Sequence, residues 1–138
     1  MTIFLRTSTY NIYATGERRL YIICVFCFEL EGEKMSIEIN VTGEVLTARL
    51  GGEIDHHTAK GMREAIDYAI ELNMPSLLVL DFGDISFMDS SGIGLVMGRY
   101  RNLAKSGAEL HITNAPPTIY KMLKLAGIEK LAKLESGE

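Results

Sequence analysis

The string FMDSSGIG, which runs from Phe87 to Gly94, constrains the fold more than any other part of the sequence. An unbroken apolar run, Leu77 to Leu80, precedes it, and apolar residues at helical spacing follow it. A pair of serines, Ser90 and Ser91, therefore stands where a strand gives way to a helix. The first N–H groups of a helix lack intrahelical partners and favour a negative group. A serine at this position can cap the helix, and it can also carry a phosphate without a change of fold.

Two strand patterns and one helix pattern precede this junction. Ser36 to Val41 alternates polar and apolar residues, and Val45 to Leu50 continues as a second strand after a turn at Gly43-Glu44, which is typical of a hairpin. Asp55 to Thr58 supplies short oxygen-bearing side chains before a helical run. That run predicts an amphipathic helix of about four turns. Its apolar face consists of Ala59, Met62, Ala65, Ile66, Ala69 and Ile70.

The rest of the sequence continues this alternation. The glycines Gly51 and Gly52 end the second strand pattern, and the apolar run Leu77–Leu80 predicts a strand covered on both faces. Further along, we predict a turn at Asp81–Asp84, a helix from about Ser91 to Lys105 with Ile93, Val96, Met97, Tyr100 and Leu103 on one stripe, a strand at Glu109–Thr113, a helix beginning at Pro116-Pro117, and a strand at Leu131–Leu134. The order β-β-α-β-α-β-α-β predicts an α/β domain with a mixed, mostly parallel β-sheet packed with α-helices.

Length and charge narrow the class of protein. A chain of 138 residues is one domain by length, and its 47% hydrophobic and 23% charged residues are typical of a globular protein. The net charge of −4 and the pI near 5.4 come without a basic patch, so we expect no nucleic acid as a direct partner. No apolar run approaches the roughly 20 residues of a membrane helix, so we expect no membrane partner and a cytoplasmic location.

Residues 1–34 differ from the rest of the chain, because they show no clean period. Glu31-Gly32-Glu33-Lys34-Met35 back-translates to a purine-rich stretch just upstream of an ATG codon, which resembles a bacterial ribosome-binding site. One hypothesis is therefore that translation naturally starts at Met35. The alternative is a genuine N-terminal extension that adds one strand, Leu20 to Phe28. Mass spectrometry of the native N-terminus separates the two.

The cysteine, serine and histidine residues of the chain lack the spacing that catalysis or metal binding would require. Cys24 and Cys27 form a single C-x-x-C, without the further ligands that zinc needs. The serine pair is not part of a G-x-S-x-G elbow, and nothing aims His56 or His57 at Ser90. The chain has no glycine-rich loop with a lysine for nucleotide phosphates. We therefore predict no catalytic residue, no metal and no cofactor.

Three glycines lie in the helix that follows the serine pair: Gly92, Gly94 and Gly98. Each glycine inside a helix costs about 0.5–1 kcal/mol relative to alanine. Two explanations are open. Either the helix is pressed tightly against the sheet or a neighbouring helix, or it presents a low, smooth surface that a partner can approach.

Four segments together resemble a STAS domain and, more narrowly, the anti-sigma F factor antagonists of that family. They are GEIDHHTA (Gly52 to Ala59), FMDSSGIG, GRY (Gly98 to Tyr100) and PPTIYKMLKLAGI (Pro116 to Ile128). The resemblance covers nearly everything from Met35 to Glu135. It implies a STAS-type single domain at residues 35–138, preceded by an atypical extension at residues 1–34.

The resemblance implies a switch in partner binding rather than catalysis. In that family the serine directly after the aspartate, here Ser90, is phosphorylated by an anti-sigma factor that is also a serine kinase. The unphosphorylated form binds the anti-sigma factor and releases the sigma factor, which the narrower resemblance makes the sporulation factor sigma F, and a serine phosphatase resets the cycle. Two alternatives are an antagonist that serves a stress-response sigma factor and a STAS scaffold or ligand sensor without phosphorylation.

We expect the partner to contact the loop before the first helix and the exposed face of the second. Arg99 could pair with an acidic residue of the partner or remain a solvated charge. Besides Ser90, the predicted partner-binding residues are Asp55, His56, His57, Thr58, Asp89, Ser91, Gly92, Ile93, Gly94 and Arg99.

Overall fold

The computed structural model describes residues 2–5, 8–13, 23–30 and 33–137, and the burial and side-chain contacts below concern residues 35–137. The strands are β1 (Thr2–Leu5), β2 (Ser8–Tyr13), β3 (Ile23–Leu30), β4 (Glu33–Thr42), β5 (Val45–Ile54), β6 (Leu77–Met88), β7 (Glu109–Ala115) and β8 (Lys133–Ser136). The helices are α1 (Thr58–Asn73), α2 (Ser90–Ala104) and α3 (Pro117–Leu125), followed by a short 3₁₀ helix, Ile128–Lys130.

The strands lie in one sheet in chain order, from β1 to β8. β4 pairs antiparallel with β5, and β5, β6, β7 and β8 are parallel neighbours. Each parallel connection contains a helix, because two parallel strands need a long crossover between them. From β4 to β8 the sheet is therefore mixed and mostly parallel, and the predicted element order is confirmed.

The core lies on one face of this sheet. Consecutive strands are added in a single direction, so right-handed crossovers bring all three helices to the same side. Strand residues alternate accordingly, and Leu78 and Leu80 are fully buried whereas Leu77 and Val79 are half-buried. The prediction that Leu77–Leu80 is covered on both faces is therefore wrong. On the open face Val79 is flanked by its register partners Thr47 and His111, which shield it in part.

Strands β5 and β6 run further than their sequences indicate. The predicted turn at Asp81–Asp84 is wrong, because β6 continues through it to Met88. The pairing of β5 with β6 has two register shifts, one directly before Gly51 and the other directly after Gly52. Gly52 has a φ of +87°, and a Cβ at Gly51 would collide with the Ser36 hydroxyl. The two glycines therefore permit bulges and do not end the strand.

Three strands precede β4 in the part of residues 1–34 that the structure describes. β1 and β2 pair antiparallel, and β3 pairs antiparallel with β4 from Cys24 opposite Ile39 to Leu30 opposite Glu33. The predicted single added strand, Leu20 to Phe28, overlaps β3, and its residues 20–22 lie outside the described residues. The natural start at Met35 stays a prediction.

Candidate phosphorylation and docking site

Asp89 is the residue that caps α2. Its backbone is extended, and its Oδ1 atom accepts a hydrogen bond of 2.8 Å from the Ser91 N–H. From the sequence a serine is a possible cap at this junction, and the structure gives that role to the aspartate instead. A carboxylate satisfies an unpaired N–H of the first turn and complements the positive end of the helix. Neither serine is needed to start the helix.

Ser90 is the first residue of α2, and its side chain is exposed. Within residues 35–137 its hydroxyl makes no hydrogen bond. Ser91, its neighbour, is half-buried. Of the two hydroxyls, that of Ser90 is the better placed for an enzyme to reach.

We predict that Asp89→Ala lowers the free energy of unfolding by about 1 kcal/mol, because the helix loses its cap. Ser90→Ala is the matched control, and it should leave the free energy of unfolding nearly unchanged. Chemical denaturation of both variants measures the difference. Equal losses for the two variants would mean that the serine shares the capping role.

The loop before α1 is held by reciprocal hydrogen bonds between Asp55 and Thr58. Asp55 Oδ1 accepts from the N–H groups of His57 and Thr58 at 2.8 and 3.0 Å, and the Thr58 hydroxyl accepts from the Asp55 N–H at 3.0 Å. The same hydroxyl donates to the Glu53 carbonyl oxygen at 2.7 Å. This arrangement resembles a capping box, which fixes the entry into a helix. It leaves His56 and His57 exposed, with their ring centroids 3.9 Å apart.

The loop and the serine junction meet at one edge of the sheet. Ile54 and Met88, the last residues of two parallel strands, are register partners. The Asp89 N–H then donates to the Ile54 carbonyl oxygen at 3.0 Å. This hydrogen bond joins the chain directly before the loop to the residue directly before Ser90. The structure therefore places Asp55, His56 and His57 on the same edge as Ser90.

The three glycines of α2 have two different environments. Gly92 is buried, and a Cβ there would collide with the Met88 side chain, so tight packing explains this glycine. A Cβ at Gly94 or Gly98 would have no neighbour within 4 Å in the described structure. No internal contact among residues 35–137 requires these two to be glycine.

The buried face of α2 is rotated from the predicted stripe. Val96 and Leu103 are buried as expected, but the face is completed by Gly92, Leu95 and Arg99. The other predicted members, Ile93, Met97 and Tyr100, are half-buried. The predicted buried face left out Arg99, because a charged residue is ordinarily assigned to the solvent side of a helix. Ile93 consequently borders the exposed surface next to Gly94.

Arg99 faces the interior and already has an acidic partner in its own chain. Its side chain is 9% exposed, and its Nε atom lies 2.8 Å from Asp67 Oδ1 on α1. Burial lowers the pKa of Arg99, and the Asp67 carboxylate opposes that shift. Thr58 and Gly92, two further predicted contacts, are also buried. These three residues lie buried beneath the surface of the site, whereas the other predicted partner-binding residues are exposed or half-buried.

Phe87 belongs to the same surface although the sequence does not identify it as a contact. Phe87 is 52% exposed and pairs in register with Glu53. It lies only three residues before Ser90 in the chain. The bulges in β6 turn it outward, and their positions cannot be read from the alternation of apolar residues. Exposed aromatic residues such as Phe87 are enriched in protein-binding surfaces.

Comparison with known proteins identifies the family. The STAS domain model matches residues 36–138. The anti-sigma F factor antagonist of Paenibacillus polymyxa is 34% identical over 104 residues, which are 75% of this chain and 89% of that protein. The anti-sigma factor antagonist SpoIIAA in its unphosphorylated form has a TM-score of 0.63 at 34% identity, over 71% of this chain and 86% of that chain. The Bacillus cell fate determinant SpoIIAA in the phosphorylated form has a TM-score of 0.59 at 34% identity, over 71% and 89%.

The chain therefore belongs to the STAS domain family, and within it to the anti-sigma factor antagonists. The resemblance predicted from the four sequence segments is confirmed, as is the α/β STAS-type fold. In the described part of the chain, no three His, Cys, Asp or Glu residues are grouped closely enough to hold a metal ion. The helices at residues 58–125 are all too short or too polar to cross a membrane.

Proposed function

We propose that this chain binds an anti-sigma factor while Ser90 is unmodified and releases it when Ser90 is phosphorylated. The chain is an anti-sigma factor antagonist, a regulator that acts by binding and not as an enzyme. One observation carries the proposed switch: Asp89 caps α2, so the exposed Ser90 hydroxyl is left unused by the fold. One similar solved structure is of a phosphorylated form, which supports a modification in this class of protein.

The electrostatics of the junction explain how a phosphate could act without refolding the domain. A phosphoserine adds about −1.5 to −2 charge at neutral pH. The N-terminus of α2 favours that charge by roughly 0.3–1 kcal/mol at an exposed site. A partner docked against Ser90 would instead have to desolvate the phosphate beside Asp89, which is also acidic. Release would follow from local repulsion and crowding.

The proposed docking surface combines the loop and the junction. Its exposed and half-buried members are Asp55, His56, His57, Phe87, Asp89, Ser90, Ser91, Ile93 and Gly94. Thr58, Gly92 and Arg99 hold these residues in place. Since Gly94 and Gly98 present no side chain, the partner's backbone can come close to α2. This accounts for two glycines that internal packing does not explain.

The proposed partners follow from this switch. We propose that the anti-sigma factor itself is the serine kinase, that a serine phosphatase reverses the modification, and that the sigma factor released is sigma F of sporulation. We also propose that the cycle takes place in the cytoplasm, where sigma factors act. Transcription reconstituted with either sigma F or a stress-response sigma factor distinguishes the sporulation role from the stress-response alternative.

Phosphosite mapping tests the switch directly. After incubation with the cognate anti-sigma factor and ATP, we expect one phosphate per chain, located on Ser90. Ser90→Ala should accept none, and Ser91→Ala should be phosphorylated as the wild type is. A phosphate on Ser91 would move the switch to the neighbouring residue. No incorporation into the wild-type protein would favour the scaffold or ligand-sensing alternative.

A further inference from the structure

Arg99 is the one charged side chain that is buried among residues 35–137. Its Nε lies 2.8 Å from Asp67 Oδ1 without the alignment of a hydrogen bond, so the contact is a charge pair. Its Nη1 has no hydrogen-bond partner in the same part of the chain. Asn102 Nδ2 donates to Asp67 Oδ1 at 3.2 Å, and the charge of Arg63 also acts on Arg99. The Arg99 guanidinium is therefore buried with one carboxylate beside it and without hydrogen bonds to all of its N–H groups.

Stability alone does not account for this pair. Arg99 is buried while 35% of the Asp67 side chain stays exposed, so the arginine bears the desolvation, which offsets the attraction between the two charges. Burial of the guanidinium accordingly lowers the pKa of Arg99. The pair does join one particular position of α1 to one particular position of α2, which interchangeable apolar contacts do not.

The location of the pair shows what that contact fixes. Asp67 lies nine positions after Thr58, the first residue of α1, and Arg99 lies nine positions after Ser90, the first residue of α2. At about 1.5 Å per residue, the pair is roughly 13 Å from the start of both helices. The two helices run in parallel because each connects two parallel strands. Sliding one helix along the other would therefore separate Arg99 from Asp67.

We infer that Arg99 is a positioning residue: through its pair with Asp67 it sets the height of Ser90 relative to the Asp55–His57 loop. This inference rests on the proposed function, since the two segments form the proposed docking surface. The Asp89–Ile54 hydrogen bond fixes the same relation at the edge of the sheet. Arg99 fixes it two to three turns further along α2. A small tilt of α2 about that point would displace Ser90 more than any residue between them.

The double variant Arg99→Met/Asp67→Asn tests the inference. It removes both charges, and the amide oxygen at position 67 can still accept from Asn102. With the anti-sigma factor as kinase, we expect KM for phosphorylation of Ser90 to rise about fivefold or more, with kcat within about twofold, while the thermal midpoint stays close to that of the wild type. Lys133→Met/Glu135→Gln, which removes the exposed ion pair on β8, is the matched control and should leave KM unchanged.

A second measurement does not depend on the kinase. Hydrogen exchange of the Asp89 amide, which donates to Ile54, should become about tenfold faster in the double variant while buried amides of α3 keep their rates. An unchanged exchange rate and an unchanged KM would overturn the positioning role. If the wild-type protein is never phosphorylated, the proposed function fails, but the exchange experiment still tests Arg99. Restoration of both readouts in Arg99→Lys would show that the charge pair is responsible.

Discussion

Ser90→Asp is expected to bind the anti-sigma factor at least tenfold more weakly than the wild type, whereas Ser90→Ala should bind it tightly even in the presence of ATP. A carboxylate at position 90 stands next to Asp89 at the centre of the proposed docking surface, and like charges brought together at an interface are strongly unfavourable. The alanine variant lacks the hydroxyl and cannot be modified. Isothermal titration of each variant with purified anti-sigma factor gives the two affinities.

Ser106→Asp is the control for added charge. Ser106 is exposed just beyond the opposite end of α2, so the same carboxylate is placed far from the docking surface. This variant should retain wild-type affinity. Ser90→Asp should also remain at least as stable as the wild type, because the helix N-terminus favours an acidic residue. Equal affinities for Ser90→Asp and Ser90→Ala would contradict the switch, and a loss of stability in Ser90→Asp would mean that refolding contributes.

Gly94→Gln should separate stability from binding. Gln forms helices better than Gly does, and a Cβ at this position meets no neighbour among the described residues, so we expect a gain of roughly 0.5–1 kcal/mol in the free energy of unfolding. The same side chain would stand between α2 and a closely docked partner, because Gly94 lies one turn after Ser90. We therefore expect the affinity for the anti-sigma factor to fall about tenfold or more.

Ala104→Gln places the same side chain on an exposed position in the last turn of α2. As the control it should change neither stability nor affinity appreciably. Gly94→Ala should give most of the stability gain with a smaller loss of binding, since a methyl group intrudes less. Unimpaired binding by Gly94→Gln would contradict the close-approach role of this glycine, and the cost of Gly94 and Gly98 to the stability of α2 would then have no explanation.

The sequence predicts the elements of this fold well where local chemistry decides the conformation. The Asp55 to Thr58 segment begins a helix because both side chains bond to backbone N–H groups within a few residues. The order of strands and helices is predicted from apolar periodicity, which reflects the burial of one face of each element against a single core. The position of the serine pair at the start of α2 is also predicted, because it lies between a strand pattern and a helix pattern.

Long-range contacts decide the features that the sequence does not predict. The continuation of β6 through Asp81–Asp84 depends on bulges shared with β5, a neighbour about thirty positions earlier. The outward orientation of Phe87 follows from those bulges. Arg99 is buried because Asp67 on another helix receives it, and only the folded chain brings the two together. Each case involves a partner distant in sequence, which periodicity within a single element does not report.

Because the cap and the serine are different residues, the fold itself does not set how long each proposed signalling state lasts. Asp89 and not Ser90 caps α2, so in the proposed cycle we expect the addition or removal of a phosphate on Ser90 to require no slow rearrangement of the polypeptide. The conformation of the domain would then be the same before and after each round of modification. The duration of each signal is then set by the relative amounts of kinase and phosphatase in the cell, and one molecule can be reused many times.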